Sequence, residues 1–359
     1  MTSLERGLAV IRDDLRSVKA YAVQPSAGLI KLDTMENPFR LPEALQRELG
    51  ARLGAVAINR YPAERTFELA AELARHAGMP EDCAITLGNG SDELITMLSM
   101  AISRPGATVL SPLPSFVMYE ISARYQGLKF VGVDLRPDFE LDEPAMLAAI
   151  TEHQPALIYL SYPNNPTANL WDADAIERIV QAAPGLVVMD EAYQPFAERD
   201  SMDLLRRYPN VLVMRTMSKF GLAGVRIGYL MGRKELVGEI DKLRPPFNIG
   251  MLNAEAGLFA LEHAEVYARQ AQVLRAERDQ LIASLDEIEE VQAFASQGNM
   301  VLVRVPDAAA MFEGIRRRGV LVKNVSALHP LLHNCLRLTV GTPEENLALL
   351  AAFTESLPS

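Results

Sequence analysis

Cysteine is nearly missing from this chain: Cys83 and Cys335 are the only two in 359 residues. They lack the close pairing of zinc sites and disulfide frameworks, so a reducing, cytoplasmic setting is expected. Basic charge is also in deficit, with 35 Lys and Arg against 46 Asp and Glu and a net charge of −11. Such a surface offers no stripe for a phosphate backbone, which argues against nucleic acid as a partner. No apolar run approaches the roughly 18 to 20 residues that span a bilayer, so no membrane insertion is expected. The N-terminal stretch MTSLERGLAVIRDDLRSVKAY alternates charged and apolar residues at helical spacing and reads as part of the mature fold rather than a signal peptide. Histidine is scarce too. His329 and His333 are four residues apart, but Pro330 between them would disrupt a metal-binding helix, and no metal is expected.

What is present is a large apolar fraction, 49%, arranged in short runs. CAITL (83–87), ATVLS (107–111), LKFVGV (128–133), ALIYL (156–160), LVVMD (186–190), VLVMR (211–215) and VRIGYLM (225–231) read as buried strands. Helical patterns at 91–103 and 173–183 lie between them, which predicts an α/β domain with a mainly parallel sheet sandwiched by helices. After residue 248 the pattern changes to one long amphipathic helix, about 253–285, followed by strands near 300–305 and 335–340 with a helix between. This predicts a smaller α+β unit. The first 45 residues carry little sheet signal and are expected to pack with it. The reading is a large domain over 46–262 and a discontinuous small domain from 1–45 and 263–359.

Ligands of such sheets sit at the carboxyl ends of the strands. Three predicted strand ends carry polar groups: SYPNNPTAN (161–169) with Asn165, VVMDEAY (187–193) with Asp190 and Tyr193, and MRTMSKFGLAGVRIGYL (214–230) with Thr216, Ser218, Lys219 and Arg226. A lysine amine, a carboxylate and hydrogen-bond donors converging on one crevice suit pyridoxal phosphate chemistry. The amine forms a Schiff base, the carboxylate keeps the pyridine nitrogen protonated, and the donors hold the phenolate oxygen. The cofactor's phosphate needs an anion site, and LGNGSDELI offers one: Gly88 and Gly90 permit close approach, Ser91 can cap the helix, and the first free amides favour a dianion.

Taken in order, MENPF (35–39), NRYP (59–62), GNGSDE (88–93), PSFVMY (114–119), PNNPT (163–167), DEAY (190–193), TMSKFGLAGVRIGY (216–229), GNMVLVRV (298–305) and LRLTVGT (336–342) resemble the fold-type-I, class-II aminotransferases, and within them the histidinol-phosphate aminotransferases. The resemblance implies that Lys219 carries the cofactor and Asp190 meets its ring nitrogen. Asn165 and Tyr193 would hold its oxygen, and Phe116 would stack on its face. Ser91, Asp92, Thr216 and Arg226 would surround its phosphate. It further implies a homodimer in which Tyr61 reaches the neighbouring subunit's site, and Arg337 as receiver of a substrate anion, with Tyr21 and Asn37 helping to line the pocket. The sequence departs from the family at Ala168, where glycine is usual, and in the compact spacing from Lys219 to Arg226. The implied reaction is reversible amino transfer between L-histidinol phosphate and 2-oxoglutarate, a step of histidine biosynthesis on small-molecule substrates. An aromatic amino acid aminotransferase or a pyridoxal-phosphate-dependent threonine-phosphate decarboxylase would use much the same residues. A non-catalytic regulator on this fold is disfavoured, because no N-terminal extension holds a DNA-binding helix pair and every chemical group is kept.

Overall fold

The computed structural model describes residues 1–16, 24–62 and 64–357. Its main sheet has seven strands: β1 (Cys83–Gly88), β2 (Thr108–Leu113), β3 (Lys129–Asp134), β4 (Leu157–Ser161), β5 (Leu186–Asp190), β6 (Val211–Thr216) and β7 (Gly228–Arg233), in the spatial order β1-β7-β6-β5-β4-β2-β3. β7 runs antiparallel to both neighbours, and the other pairings are parallel.

The side-chain period of two explains why the central strands are apolar throughout. Val211 and Val213 point into one packed cluster with Ile158, Leu160, Val187 and Met189, while Leu212 and Met214 enter another with Leu157, Tyr159 and Val188. Both faces are covered, so both must be hydrophobic. The polar residues of these strands are confined to their carboxyl ends. There Ser161 pairs in register with Asp190, and Thr216 with Gly228.

A second, four-stranded antiparallel sheet is built from Gln292–Ala293, Met300–Arg304, Lys323–Asn324 and Cys335–Thr339. Its core gathers Leu32 and Met35 from the N-terminal part with Val301, Val303, Leu336, Leu338 and Phe353. Sheet structure does occur in the first 45 residues: Ile30–Lys31 pairs parallel with Val320–Leu321. A two-residue strand leaves no period to read, which is why the pattern missed it.

Two expectations are corrected. The segment read as one helix over 253–285 is two, Met251–Glu262 and Ala264–Asp286, separated at His263 with no Gly or Pro to mark the break. The strand read from Val225 begins only at Gly228, because Arg226 has a left-handed backbone, φ +56°, that ends the preceding turn. Among the described residues no helix is long and apolar enough to cross a membrane.

Candidate active site

The strand ends open onto a cavity of about 320 Å³ lined by Ser91, Asp92, Phe116, Asn165, Asp190, Tyr193, Thr216, Lys219 and Arg226, all of them expected from the sequence. Thr34, Met35 and Glu36 close it from the N-terminal segment, and Ser161 and Ser218 complete its polar wall. Ser218 stands out beside Lys219 in the sequence and Met35, Glu36 and Ser161 lie inside its motifs, whereas Thr34 carries no signal. Thr34 contributes through its main chain from 185 residues away, as the carbonyl that accepts a hydrogen bond from Lys219 Nζ (2.8 Å).

Close approach of two elements sets the helix that begins at Ser91. A side chain at Gly228 would lie 2.6 Å from Gly90 C and Ser91 N, so only glycine lets β7 slide beneath the helix start. Gly90, at φ +82°, is the residue that caps the helix, and no side chain bonds to the first-turn amides. Ser91 is therefore not the cap: it is the first helical residue, and its hydroxyl is left to the cavity. The amides of that turn and the positive end of the helix dipole face the same space. Arg226 borders it, with Nη2 3.3 Å from Asp92 Oδ2 and Nη1 3.4 Å from Ser218 Oγ. Thr216 Oγ1 accepts from the Ser218 amide (3.1 Å), fixing the turn that carries Lys219.

Asp190 is buried at the end of β5. It accepts from Tyr119 Oη (2.6 Å) and from the Ala192 amide (3.1 Å). Burial pushes its carboxyl up to about 6; these two bonds pull it down, and the charges of Asp92 and Glu191 add to the rise. Lys219 shows the mirror image, since withdrawal from solvent and then the nearby Arg337 charge bring its amine down to about 8. Among the described residues neither group has an ion-pair partner within 4 Å.

Tyr193 accepts from Asn165 Nδ2 (3.0 Å), so its own hydroxyl proton is available to the cavity. Arg337 stands behind Asn165, donating from Nη1 to Asn165 Oδ1 and from Nη2 to the Asp33 carbonyl, both at 2.7 Å. It reaches the cavity through Asn165 instead of lining it. Asn37 also lies off the wall: it donates to Gln270 Oε1 (3.0 Å) and accepts from the Phe39 amide (2.9 Å), which makes it a turn residue. Tyr61 is 78% exposed and stacks on Phe247 at 4.6 Å, outside the cavity of its own chain. Tyr21 lies outside the described residues. Ala168 adopts φ +61° and is fully buried, so the turn keeps the left-handed conformation that glycine would adopt freely.

A supporting pair was missed. Glu191 follows Asp190 and Arg215 precedes Thr216; their side chains meet at 2.8 Å, both buried, and Arg215 also reaches Asp200 at 3.2 Å. This pair joins the ends of β5 and β6, next in the chain to the cavity-lining Asp190 and Thr216. Nothing in either residue's position along the chain signals the pairing.

A model of the family described as aminotransferase class I and II matches residues 27–353. The chain is 67% identical over 345 residues to the histidinol-phosphate aminotransferase of Methylibium petroleiphilum, covering 95% of this chain and 93% of that one. It is 61% identical over 351 residues to that of Polaromonas naphthalenivorans, covering 97% and 96%. The structure of histidinol-phosphate aminotransferase from Sinorhizobium meliloti in complex with pyridoxal-5'-phosphate aligns over 97% of both chains at 25% identity, with a TM-score of 0.84.

The lowered amine makes a direct prediction. An amine attacks a carbonyl as its free base, so the rate at which Lys219 in the cofactor-free protein is trapped by a small aldehyde and borohydride will rise with pH through a midpoint near 8. Mass spectrometry of the Lys219 peptide reads this. A midpoint near 10 would show the amine to be fully solvated.

Proposed function

The chain belongs to the class I and II aminotransferase family, and we propose that it transfers an amino group reversibly between L-histidinol phosphate and 2-oxoglutarate, giving imidazole acetol phosphate and glutamate. It is a pyridoxal-phosphate-dependent enzyme. One observation carries the reading: a half-buried amine and a buried carboxylate face one cavity, and among the described residues neither has an ion-pair partner. The same observation tests the cofactor's fit. A cationic ring nitrogen answers Asp190, an aldehyde answers Lys219, and the uncapped helix start at Ser91 with Arg226 answers a phosphate. When bound, pyridoxal phosphate supplies an aldehyde for the amino group and a protonated ring that accepts the electron pair left when a substrate carbon loses its proton.

The chain's own residues then have these roles. Asp190 holds the ring nitrogen proton. Tyr193 donates its hydroxyl, and Asn165 its second amide hydrogen, to the ring oxygen. Phe116 gives one ring face an apolar wall. Ser91, Thr216, Ser218, Arg226 and the amide of Asp92 hold the phosphate. Lys219 Nζ, poised near neutrality, takes the proton from the substrate carbon and returns it. Arg337 receives the substrate anion, the glutamate carboxylate or the histidinol phosphate ester, by exchanging its bonds to Asn165 Oδ1 and the Asp33 carbonyl for it.

The working unit in this reading is a homodimer. Tyr61 and Phe247 stack on each other while exposed at 78% and 51%, an apolar pair suited to cover by a second copy, with Tyr61 carried to the neighbour's phosphate. The cytoplasm is the compartment, consistent with both cysteines being buried and unpaired.

Two outcomes are expected. Added to the yellow, cofactor-loaded protein, histidinol phosphate and glutamate will bleach the visible band, with phenylalanine and tyrosine at least tenfold poorer in specificity constant. Equal constants would favour an aromatic aminotransferase, and carbon dioxide release without a keto product a decarboxylase. Mixed dimers of Tyr61→Ala and Lys219→Ala chains will show activity above the sum of the separate variants, because one site per hybrid is intact. Simple additivity would refute the shared site.

A further inference from the structure

Asp190 has two bonded neighbours, and one of them is a side chain to which nothing above gives a role. Tyr119 sits on the helix Met118–Tyr125, one helical turn after Phe116, and is 1% exposed. Its hydroxyl is 2.6 Å from Asp190 Oδ2, the short range of an O–H group donating to a carboxylate. Its ring is clamped: Tyr159 lies parallel to it at 4.2 Å and 4°, and Phe116 meets it edge-on at 5.7 Å and 86°. All three rings come from elements of the main-sheet domain, so the hydroxyl is aimed by packing and not by a flexible loop.

We propose that Tyr119 is a positioning residue for the reaction: its clamped hydroxyl fixes the Asp190 carboxylate and keeps that carboxylate the anionic member of its contact with the cofactor's ring nitrogen. This rests on the function proposed above. The physical reason is competition for one proton. A carboxylate in a dry site next to a protonated ring can take the proton and leave two neutral partners, which abolishes the ring's capacity as electron acceptor. A donor on Oδ2 stabilises the anion and opposes that transfer.

The other groups around Asp190 cannot substitute. Asp92 and Glu191 repel its charge, Tyr193 has its oxygen engaged by Asn165 and makes no bond to Asp190, and the Ala192 amide holds only Oδ1. Tyr159 stacks on Tyr119 with its own hydroxyl directed to the Ile95 carbonyl at 3.5 Å, making no bond to Asp190. Burial and the adjacent Asp190 charge hold the Tyr119 phenol far above its usual range, so it remains a donor across the working pH.

The test compares Tyr119→Phe with Tyr159→Phe, each removing one oxygen while keeping the ring. Asp190 is titrated in the full-length, cofactor-free protein by its carboxyl infrared band, identified by its loss in Asp190→Asn. Steady-state kinetics are measured on the loaded enzyme. Tyr119→Phe is expected to move the Asp190 midpoint upward by about one pH unit and to lower kcat about tenfold with KM little changed, the size of one hydrogen bond to a charged group. Tyr159→Phe is expected to leave both near wild type. An unchanged Asp190 midpoint in Tyr119→Phe, or equal effects from the two variants, would overturn the proposal. Failure of the cofactor assignment would look different, since the wild-type protein would then show no visible cofactor band, and a different substrate would show in which amino donor bleaches it.

Discussion

Two charges with no ion-pair partner among the described residues, withdrawn from solvent on the walls of one cavity, are the constraint around which this fold is arranged. Removing a carboxylate or an ammonium from water costs several kcal/mol even after relaxation. The Asp190 carboxyl, raised to about 6 from an ordinary 3.8, expresses a penalty on the order of 3 kcal/mol. The sign follows from proton counting. Below pH 4 the group is protonated in folded and unfolded chains alike and costs nothing; between about 4 and 6 the unfolded chain gives up its proton first, and the folded state loses stability as pH rises. Above 6 the full penalty stands until a cation meets the carboxylate. Lys219, lowered to about 8, carries the converse penalty at neutral pH. A bound group that is cationic at one end and reactive toward amines at the other relieves both.

The rest of the structure holds those two groups in place. In β4, β5 and β6, buried on both faces, the polar residues stand toward the carboxyl ends, so Ser161, Asp190 and Thr216 come to one rim. The buried pair Glu191–Arg215 ties the ends of β5 and β6, one residue away from Asp190 and Thr216. From the second sheet, Arg337 enters through Asn165 to Tyr193, a chain of donors that carries its charge to the cavity wall. The N-terminal segment supplies the Thr34 carbonyl that anchors Lys219. The cavity therefore draws on groups from distant parts of the chain, and each is oriented by a bond to another.

Much of this was legible in the sequence because it follows from periodicity and from strand ends. The run LVVMD stops being apolar at Asp190, where β5 ends, and the Gly-rich turn before Ser91 marks a helix start on the cavity wall. Other features left no local trace. The break at His263 lies between two helices with no Pro or Gly to announce it, and Ser91 was read as a cap because the φ of Gly90 is invisible in a string of letters. Asn37 was drawn toward the pocket by the motif around it, while its side chain serves a turn. Tyr119 and the Glu191–Arg215 pair depend on distances across the sheet, and Tyr61 faces away from its own chain's cavity.

The most direct test of the central claim is thermal unfolding of Asp190→Asn at pH 7.5, with and without pyridoxal phosphate. A buried, unmatched charge predicts that the cofactor-free variant unfolds at the same temperature as wild type or higher, and that the rise produced by the cofactor shrinks sharply. A cofactor-free variant that unfolds well below wild type while keeping the full cofactor-induced rise would contradict the account.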